Sequence, residues 1–297
     1  MSKKLLRIGF IGAGSIGSLF GGYIANIKSD IYSMEVIFFC KRDHATMINK
    51  KGLKLCRNQE VKIVKNIKGF ESEKQIEEKL EKDLDFKFDF LFLTTKTYDM
   101  KAALIQYKKI VNASNYIVIL QNGIGNEDVV MQHSDRTKII RAVTTNGALL
   151  DEPGQVLHTG EGITKIGFPY LNEIDIKAEE LKHVKSYLQL LRNILDSAGF
   201  ETILVEDMIL ESWEKALVNI GINAIAALTR LTNGELLKVK GLEYYVGQLI
   251  KEAIKVAELK KIMLTSKDYV SITYDVLTKT ANNNSNCCPH RQCYDRR

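Results

Sequence analysis

The sequence predicts an α/β protein in two parts, an N-terminal doubly wound domain followed by an all-α C-terminal domain, and three observations carry that expectation. Apolar runs that read as buried strands alternate with helical patterns over the first half of the chain, as a doubly wound sheet requires. The first of these runs leads straight into a glycine turn, Gly12-Ala13-Gly14-Ser15-Ile16-Gly17, and then into an apolar helix. Beyond about residue 170 the pattern is almost entirely helical.

Residues 5–11 (Leu-Leu-Arg-Ile-Gly-Phe-Ile) form the first strand, and residues 18–27 the helix that follows the turn. Strand, G-x-G-x-x-G and helix in that order make a Rossmann-like turn that binds a dinucleotide. Gly12 allows the tight turn, Gly14 lets backbone approach a pyrophosphate, and Gly17 lets the helix pack closely on the sheet. Ala13, Ser15 and Ile16 complete the turn, and the helix N-terminus offers N–H groups and a partial positive charge to phosphate. The next strand, residues 35–40, ends in Lys41-Arg42, where an NAD-selective site carries an acidic residue against the ribose 2′-hydroxyl. Two cations there suit a 2′-phosphate, so NADP(H) is expected over NAD(H).

Residues 71–89 read as a mixed-charge, helix-compatible surface segment whose charges serve solvation. Residues 89–95 and 116–121 are further buried parallel strands, followed by Thr94-Thr95-Lys96-Thr97 and by Gln121-Asn122-Gly123-Ile124-Gly125. Ligands of open α/β sheets sit beyond the carboxyl ends of the strands. Lys96 is therefore expected to meet charge on cofactor or substrate, and Asn122 to hydrogen-bond near the nicotinamide. Capping and turn formation are the structural uses of the same residue types. From residue 141 to 168 the texture changes to short strands with Gly and Pro turns.

Residues 178–195, 207–228, 242–264 and 268–280 are the candidate helices of the second domain. In the second of these, Lys215, Asn219 and Asn223 stand at i, i+4 and i+8 among apolar residues, so they share one helix face. An ammonium beside two amides can protonate a carbonyl oxygen and orient a polar substrate. The expected division is an NADP-binding domain over residues 1–170, a helical substrate and catalytic domain over 171–281, and an irregular tail over 282–297, with a cleft between the two domains.

With 297 residues, 45% hydrophobic and 26% charged, the chain is long enough for two such domains. No run of about 18 apolar residues occurs, which argues against a membrane span. Met1-Ser2-Lys3-Lys4 runs into a strand rather than a signal peptide, so a cytoplasmic location is expected. The net charge of +6 is spread through Lys-rich helices and no nucleic-acid motif is present. Cys40 and Cys56 read as buried thiols in a reducing compartment. No metal site is expected, because Cys287, Cys288, His290 and Cys293 have adjacent cysteines and no second Cys pair. No G-x-S-x-G elbow of a hydrolase occurs, and Gly14-Ser15-Ile16-Gly17 belongs to the phosphate turn.

The glycine turn, Thr95-Lys96, Gln-Asn-Gly-Ile-Gly at 121–125, Gly-Ile-Thr-x-Ile-Gly at 162–167, Trp-x-Lys-x-x-x-Asn-x-x-x-Asn at 213–223 and Asn-Gly-Glu-Leu at 233–236 follow one another in a familiar order. Over roughly residues 5–280 the chain resembles the ketopantoate reductases. The resemblance implies NADPH-dependent reduction of 2-dehydropantoate to pantoate, on the route to pantothenate and coenzyme A. It implies Lys215 as general acid, with Asn219, Asn223 and Asn233 contacting substrate. It further implies that Asn122 touches nicotinamide and substrate, that Lys96 lies on the cofactor side, and that Lys41 or Arg42 meets the 2′-phosphate. Asn233 is equally suited to cap the helix that follows it.

Two other readings stay open. The Lys and Asn side chains read carbonyl and carboxylate, so another small 2-keto acid would serve them equally well. A non-catalytic NADP-binding protein is the second, because the family continues with a Ser-bearing segment and a further helix where this chain reads Asn282 to Arg297 without apolar periodicity. A frameshift or truncation is the expected origin of that tail, with Ser285 the one residue that could match the family's Ser. A homodimer paired through the helices at 242–264 and 268–280 is the assembly the sequence allows.

Overall fold

A computed structural model describes residues 3–83, 86–171, 176–266 and 268–281, and the statements below concern those residues. The tail expectations, including those on Ser285, Cys287, Cys288, His290 and Cys293, lie outside them. Contacts divide the chain into two compact units, Met1–Met208 and Ile209–Arg297.

The first unit begins β1 (Lys4–Ile11), α1 (Ser15–Ala25), β2 (Tyr32–Phe39), α2 (Arg42–Lys51), β3 (Leu53–Arg57), β4 (Glu60–Val64), β5 (Ile67–Phe70) and α3 (Lys74–Lys82). It continues β6 (Phe88–Leu93), α4 (Met100–Gln106), α5 (Lys108–Asn112), β7 (Ser114–Ile119), α6 (Asn126–Val130) and β8 (Ile139–Thr144). It closes with β9 (Gly147–Glu152), β10 (Gln155–Gly160), β11 (Thr164–Gly167), α7 (Ala178–Ser197) and β12 (Thr202–Leu204).

The main sheet has the order β12-β11-β8-β7-β6-β1-β2-β5, and its pairs are parallel except β8 with β11. The chain winds outward from β1 through β2 to β5, then returns to β6 and proceeds the other way. The strand order therefore reverses between β1 and β6, the switch point at which such sheets bind ligands. Alternation along the strands sends Leu6, Ile8, Phe10, Phe38, Phe90 and Phe92 to one face and Ile11, Ile37, Phe39, Leu91 and Leu93 to the other. Helices cover both faces, with α1 and α7 on the first and α4 and α5 on the second. Each such buried side chain contributes about 1.5–3 kcal/mol.

Residues 53–64 and 147–160 form a second sheet of order β4-β3-β10-β9, which takes in two of the short strands expected over 141–168. It lies against α1, where a Cβ on Gly22 would come within 2.7 and 2.8 Å of Leu55 and Leu53 side-chain carbons. Helix α1 also starts three residues before its expected onset, because Ser15, Ile16 and Gly17 form its first turn. The mixed-charge segment carries α3, and its Glu77 and Glu81 pair with Lys109 of α5.

The division between the two units falls at 208/209, beyond the boundary at residue 170 that the sequence pattern suggests. Helix α7 packs Val184, Leu188, Leu191, Ile194 and Leu195 into the same core as Phe10 and Phe92, and β12 pairs with β11. The second unit contains α8 (Met208–Thr229), which spans that boundary, α9 (Asn233–Leu236), α10 (Leu242–Leu259) and α11 (Tyr269–Lys279). Its core gathers Leu217, Ile222, Leu236, Val246, Ile250, Tyr269 and Leu277. Helix α10 ends five residues before its expected limit, with Lys261 just beyond at φ 60°. Among the described residues no helix is long and apolar enough to cross a membrane.

Candidate active-site residues of the two units

At the end of β1 the chain turns at Gly12, whose φ of +81° is unfavourable for any side chain. A Cβ there would also lie 2.4–2.8 Å from Thr95. The N–H groups of Gly12 and Ala13 donate to the Phe39 carbonyl at 2.9 and 3.3 Å, which ties the turn to the end of β2. Thr94 Oγ1 donates to the Gly12 carbonyl at 3.0 Å, and a Cβ on Gly17 would come within 2.4 Å of that same hydroxyl. The close approach expected of Gly17 is thus an approach to the end of β6. Gly14 is different, since a Cβ there would meet only the Gly12 carbonyl, at 3.8 Å.

Helix α1 follows with Gly14 as its N-cap, no side-chain cap and no acidic residue in its first turn. Such an end retains the N–H groups and positive potential that suit a phosphate. Ser15 Oγ accepts from the Leu150 N–H at 3.0 Å, so that hydroxyl also ties the turn to β9. The residues present therefore fit a pyrophosphate: backbone donors, room at Gly14 and no carboxylate in the first turn of α1.

Beyond β2, Lys41 precedes α2 and Arg42 opens it, both exposed. Arg42 Nε lies 3.0 Å from Glu71 Oε2. Exposed pairs of this kind contribute about 0–1 kcal/mol, which a phosphate can displace. Burial, and secondarily Glu71, push the Cys40 thiol up to about 12, so it is inert as a nucleophile.

Lys96 is exposed just before the 3-10 turn Thr97–Asp99. Its neighbours tie the segment to the loop after β7. Gln121 Nε2 donates to Thr95 O at 2.9 Å and to Thr95 Oγ1 at 2.7 Å, while Thr97 Oγ1 donates to Asn122 O at 3.0 Å. Asn126 Nδ2 donates to the same Asn122 carbonyl at 3.0 Å. The Asn122 side chain is exposed. Gly12 to Gly17, Lys96 and Asn122 are thereby brought onto one ledge at the carboxyl ends of β1, β6 and β7.

In the second unit, Lys215, Asn219 and Asn223 are all half-buried on α8. The helix is seated by Gly221, where a Cβ would lie 3.0–3.3 Å from Thr273, Ile250 and Val246. Glu214 anchors it further by accepting from Tyr269 Oη at 2.8 Å. Asn233 differs from its neighbours in being buried, at 3% exposure, with Nδ2 donating to Thr280 Oγ1 at 2.8 Å. It is not the cap of α9: Thr232 is, in a capping box with Glu235.

Sequence reasoning missed the pair beneath the 121–126 loop. Arg141 is 1% exposed and Glu127 2%, with Arg141 Nε 2.8 Å from Glu127 Oε1, close as an ion pair though not aligned as a hydrogen bond. The available signal was a charged residue inside the apolar run Ile139-Ile140-Arg141-Ala142-Val143, since a buried Arg demands a partner.

A doubly wound sheet with a glycine turn at its switch point defines the class of dinucleotide-binding α/β folds. The comparisons with known proteins narrow it. The family described as "Ketopantoate reductase PanE/ApbA" matches residues 8–169, and its C-terminal counterpart matches residues 207–288. The 2-dehydropantoate 2-reductase of Pyrococcus abyssi is 33% identical over 253 residues, 85% of this chain and 74% of the relative. That of Pyrococcus horikoshii is 34% identical over 85% of this chain and 73% of its own length. Among solved structures, 2-dehydropantoate 2-reductase from Geobacter metallireducens superposes with a TM-score of 0.73 at 22% identity, covering 94% of this chain and 84% of that one. D-mandelate dehydrogenase in complex with NADH and anilino(oxo)acetate gives 0.75 at 22% identity, covering 92% and 80%. The chain belongs to the ketopantoate reductase family.

Proposed function

We propose that this protein reduces 2-dehydropantoate to pantoate with NADPH, the first unit holding the cofactor and α8 delivering the proton. The observation that carries this reading is the similarity to 2-dehydropantoate 2-reductases at 33–34% identity over most of the chain. The ledge geometry supports it by fitting a dinucleotide.

NADPH, when bound, supplies the hydride that ends on the keto carbon. Residues Gly12 to Gly17 and the α1 N-terminus hold the pyrophosphate, with Lys41 or Arg42 on the 2′-phosphate and Lys96 countering charge on the cofactor side. Asn122 orients nicotinamide and substrate by hydrogen bonds made before reaction. Lys215 donates a proton to the keto oxygen as negative charge develops there. Asn219 and Asn223 fix the substrate's polar groups, and its carboxylate is the natural anionic anchor. Ketone, hydride and proton together give the secondary alcohol, and Lys215 regains its proton from water. Asn233, buried against Thr280, would act on substrate through this packing.

The test is oxidation of NADPH, followed by absorbance of the reduced nicotinamide, with 2-dehydropantoate and with other 2-oxo acids. Turnover with 2-dehydropantoate, faster with NADPH than NADH, is expected. Lys215→Ala should lower kcat about 10²–10⁴-fold with a smaller change in KM. Faster turnover of a different 2-oxo acid would move the substrate, and binding of NADPH without any turnover would leave only a cofactor-binding role.

A further inference from the structure

The loop after β7 has an unusual support. Gly123 and Gly125 hold φ of +102° and +80°, so its backbone is bent through conformations that other residues disfavour. Two donors, Thr97 Oγ1 and Asn126 Nδ2, converge on the Asn122 carbonyl. From within the sheet, Arg141 on β8 donates through NH2 to Gly123 O at 2.9 Å and through NH1 to Ile119 O at 3.3 Å. Its Nε side faces Glu127 on α6, the helix into which the loop runs. One guanidinium thus touches the strand before the loop, the loop itself and the helix after it.

Burying such a pair is a poor way to gain stability, because desolvating both ions offsets most of their attraction. A rigid fork of donors reaching several acceptors is what guanidinium offers and ammonium does not. We propose that Arg141 is the positioning residue of the 121–126 loop: it fixes the loop's carbonyls downward so that Asn122 is presented at the nicotinamide end of the cofactor site. Neither Arg141 nor Glu127 touches the ligand in this role. The inference rests on the proposed cofactor reading of the ledge.

Arg141→Met alone would leave Glu127 buried without its cation and endanger folding, so the informative variant is Arg141→Met with Glu127→Gln. Three measurements on the full chain are compared with wild type: the melting temperature, the Kd values for NADPH and for 2′,5′-ADP, and kcat. The fragment 2′,5′-ADP lacks the nicotinamide and reports the adenosine end alone. The expected result is a melting temperature near wild type, unchanged affinity for 2′,5′-ADP, weaker binding of NADPH, and a fall in kcat of about tenfold or more, the scale of loss a misplacement near 1 Å produces. Arg141→Lys, which keeps the charge but not the fork, should recover the pairing with Glu127 and not the kcat. Wild-type NADPH affinity and kcat in the double variant would overturn the proposal. So would a parallel loss of both ligands together with stability, which would make Arg141 merely structural. If wild type binds NADPH but does not reduce 2-dehydropantoate, the substrate reading fails while the comparison of the two Kd values still decides the role of Arg141.

Discussion

His44 shows how one buried side chain ties the glycine turn to the rest of the first unit. The Gly154 N–H can only donate, so His44 Nδ1, 2.8 Å away, is the acceptor and the ring carries its proton on Nε2. That nitrogen is 2.9 Å from Ser18 Oγ, which donates in turn to the Ala13 carbonyl at 3.2 Å. Burial lowers the His44 pKa to about 4. An unfolded chain binds a proton at this histidine below about pH 6.5 and the folded chain does not until about pH 4, so stability falls as pH drops through that window. Between neutral pH and about pH 4.5 the loss from this group should be roughly 2–3 kcal/mol. Urea unfolding at both pH values, on wild type and His44→Gln, isolates it from the carboxylates. The variant should lose less stability on acidification by about that amount, and equal losses would show that His44 is not the group responsible.

Helix α1 concentrates the constraints of the fold, because it lies between the main sheet on one side and the smaller sheet on the other. A Cβ on Gly21 would sit 2.1 Å from a Phe38 ring carbon, and Phe38 is fully buried with Phe10 edge-on at 5.4 Å between centroids. Gly21→Ala gains up to about 1 kcal/mol of helix propensity, but overpacking costs about 1–3 kcal/mol and the ring has nowhere to retreat. Net destabilisation of about 1–2 kcal/mol is expected in urea unfolding; a neutral or stabilised variant would mean that the helix shifts at little cost. The same helix separates what is legible in the sequence from what is not. The glycine turn, the strand ends carrying Lys96 and Asn122, and the Lys215 face are set by local spacing, so they can be read from a short window. Gly21, Gly22, His44 and the Arg141–Glu127 pair owe their surroundings to partners distant in sequence, and no window contains both members. The boundary moved from 170 to 208 for a related reason: the apolar stripe of α7 states that the helix is buried, not which core it faces.

For the molecule as a whole, the proposed function divides the chemistry between the two units, and ligands test that division. A ligand that binds only the folded chain stabilises it by RT ln(1 + [L]/Kd), about 2.7 kcal/mol at a hundredfold excess over Kd. That free energy is distributed according to which amides the ligand orders. NADPH contacts proposed for the first unit lie at residues 12–17, 96 and 122, whereas those of the oxo acid centre on Lys215, Asn219 and Asn223. Hydrogen exchange followed by mass spectrometry can therefore separate them. NADPH alone should slow exchange in peptides spanning the glycine turn and the 121–126 loop. Peptides covering 215–223 should respond further when 2-dehydropantoate is added with NADP⁺, a pairing that cannot turn over. Slowing of the glycine-turn peptides by NADPH in the Lys215→Ala variant as well would confirm that cofactor capture belongs to the first unit alone. No change there in wild type at saturating NADPH would overturn the ledge as the cofactor site, whatever the enzyme then proved to reduce.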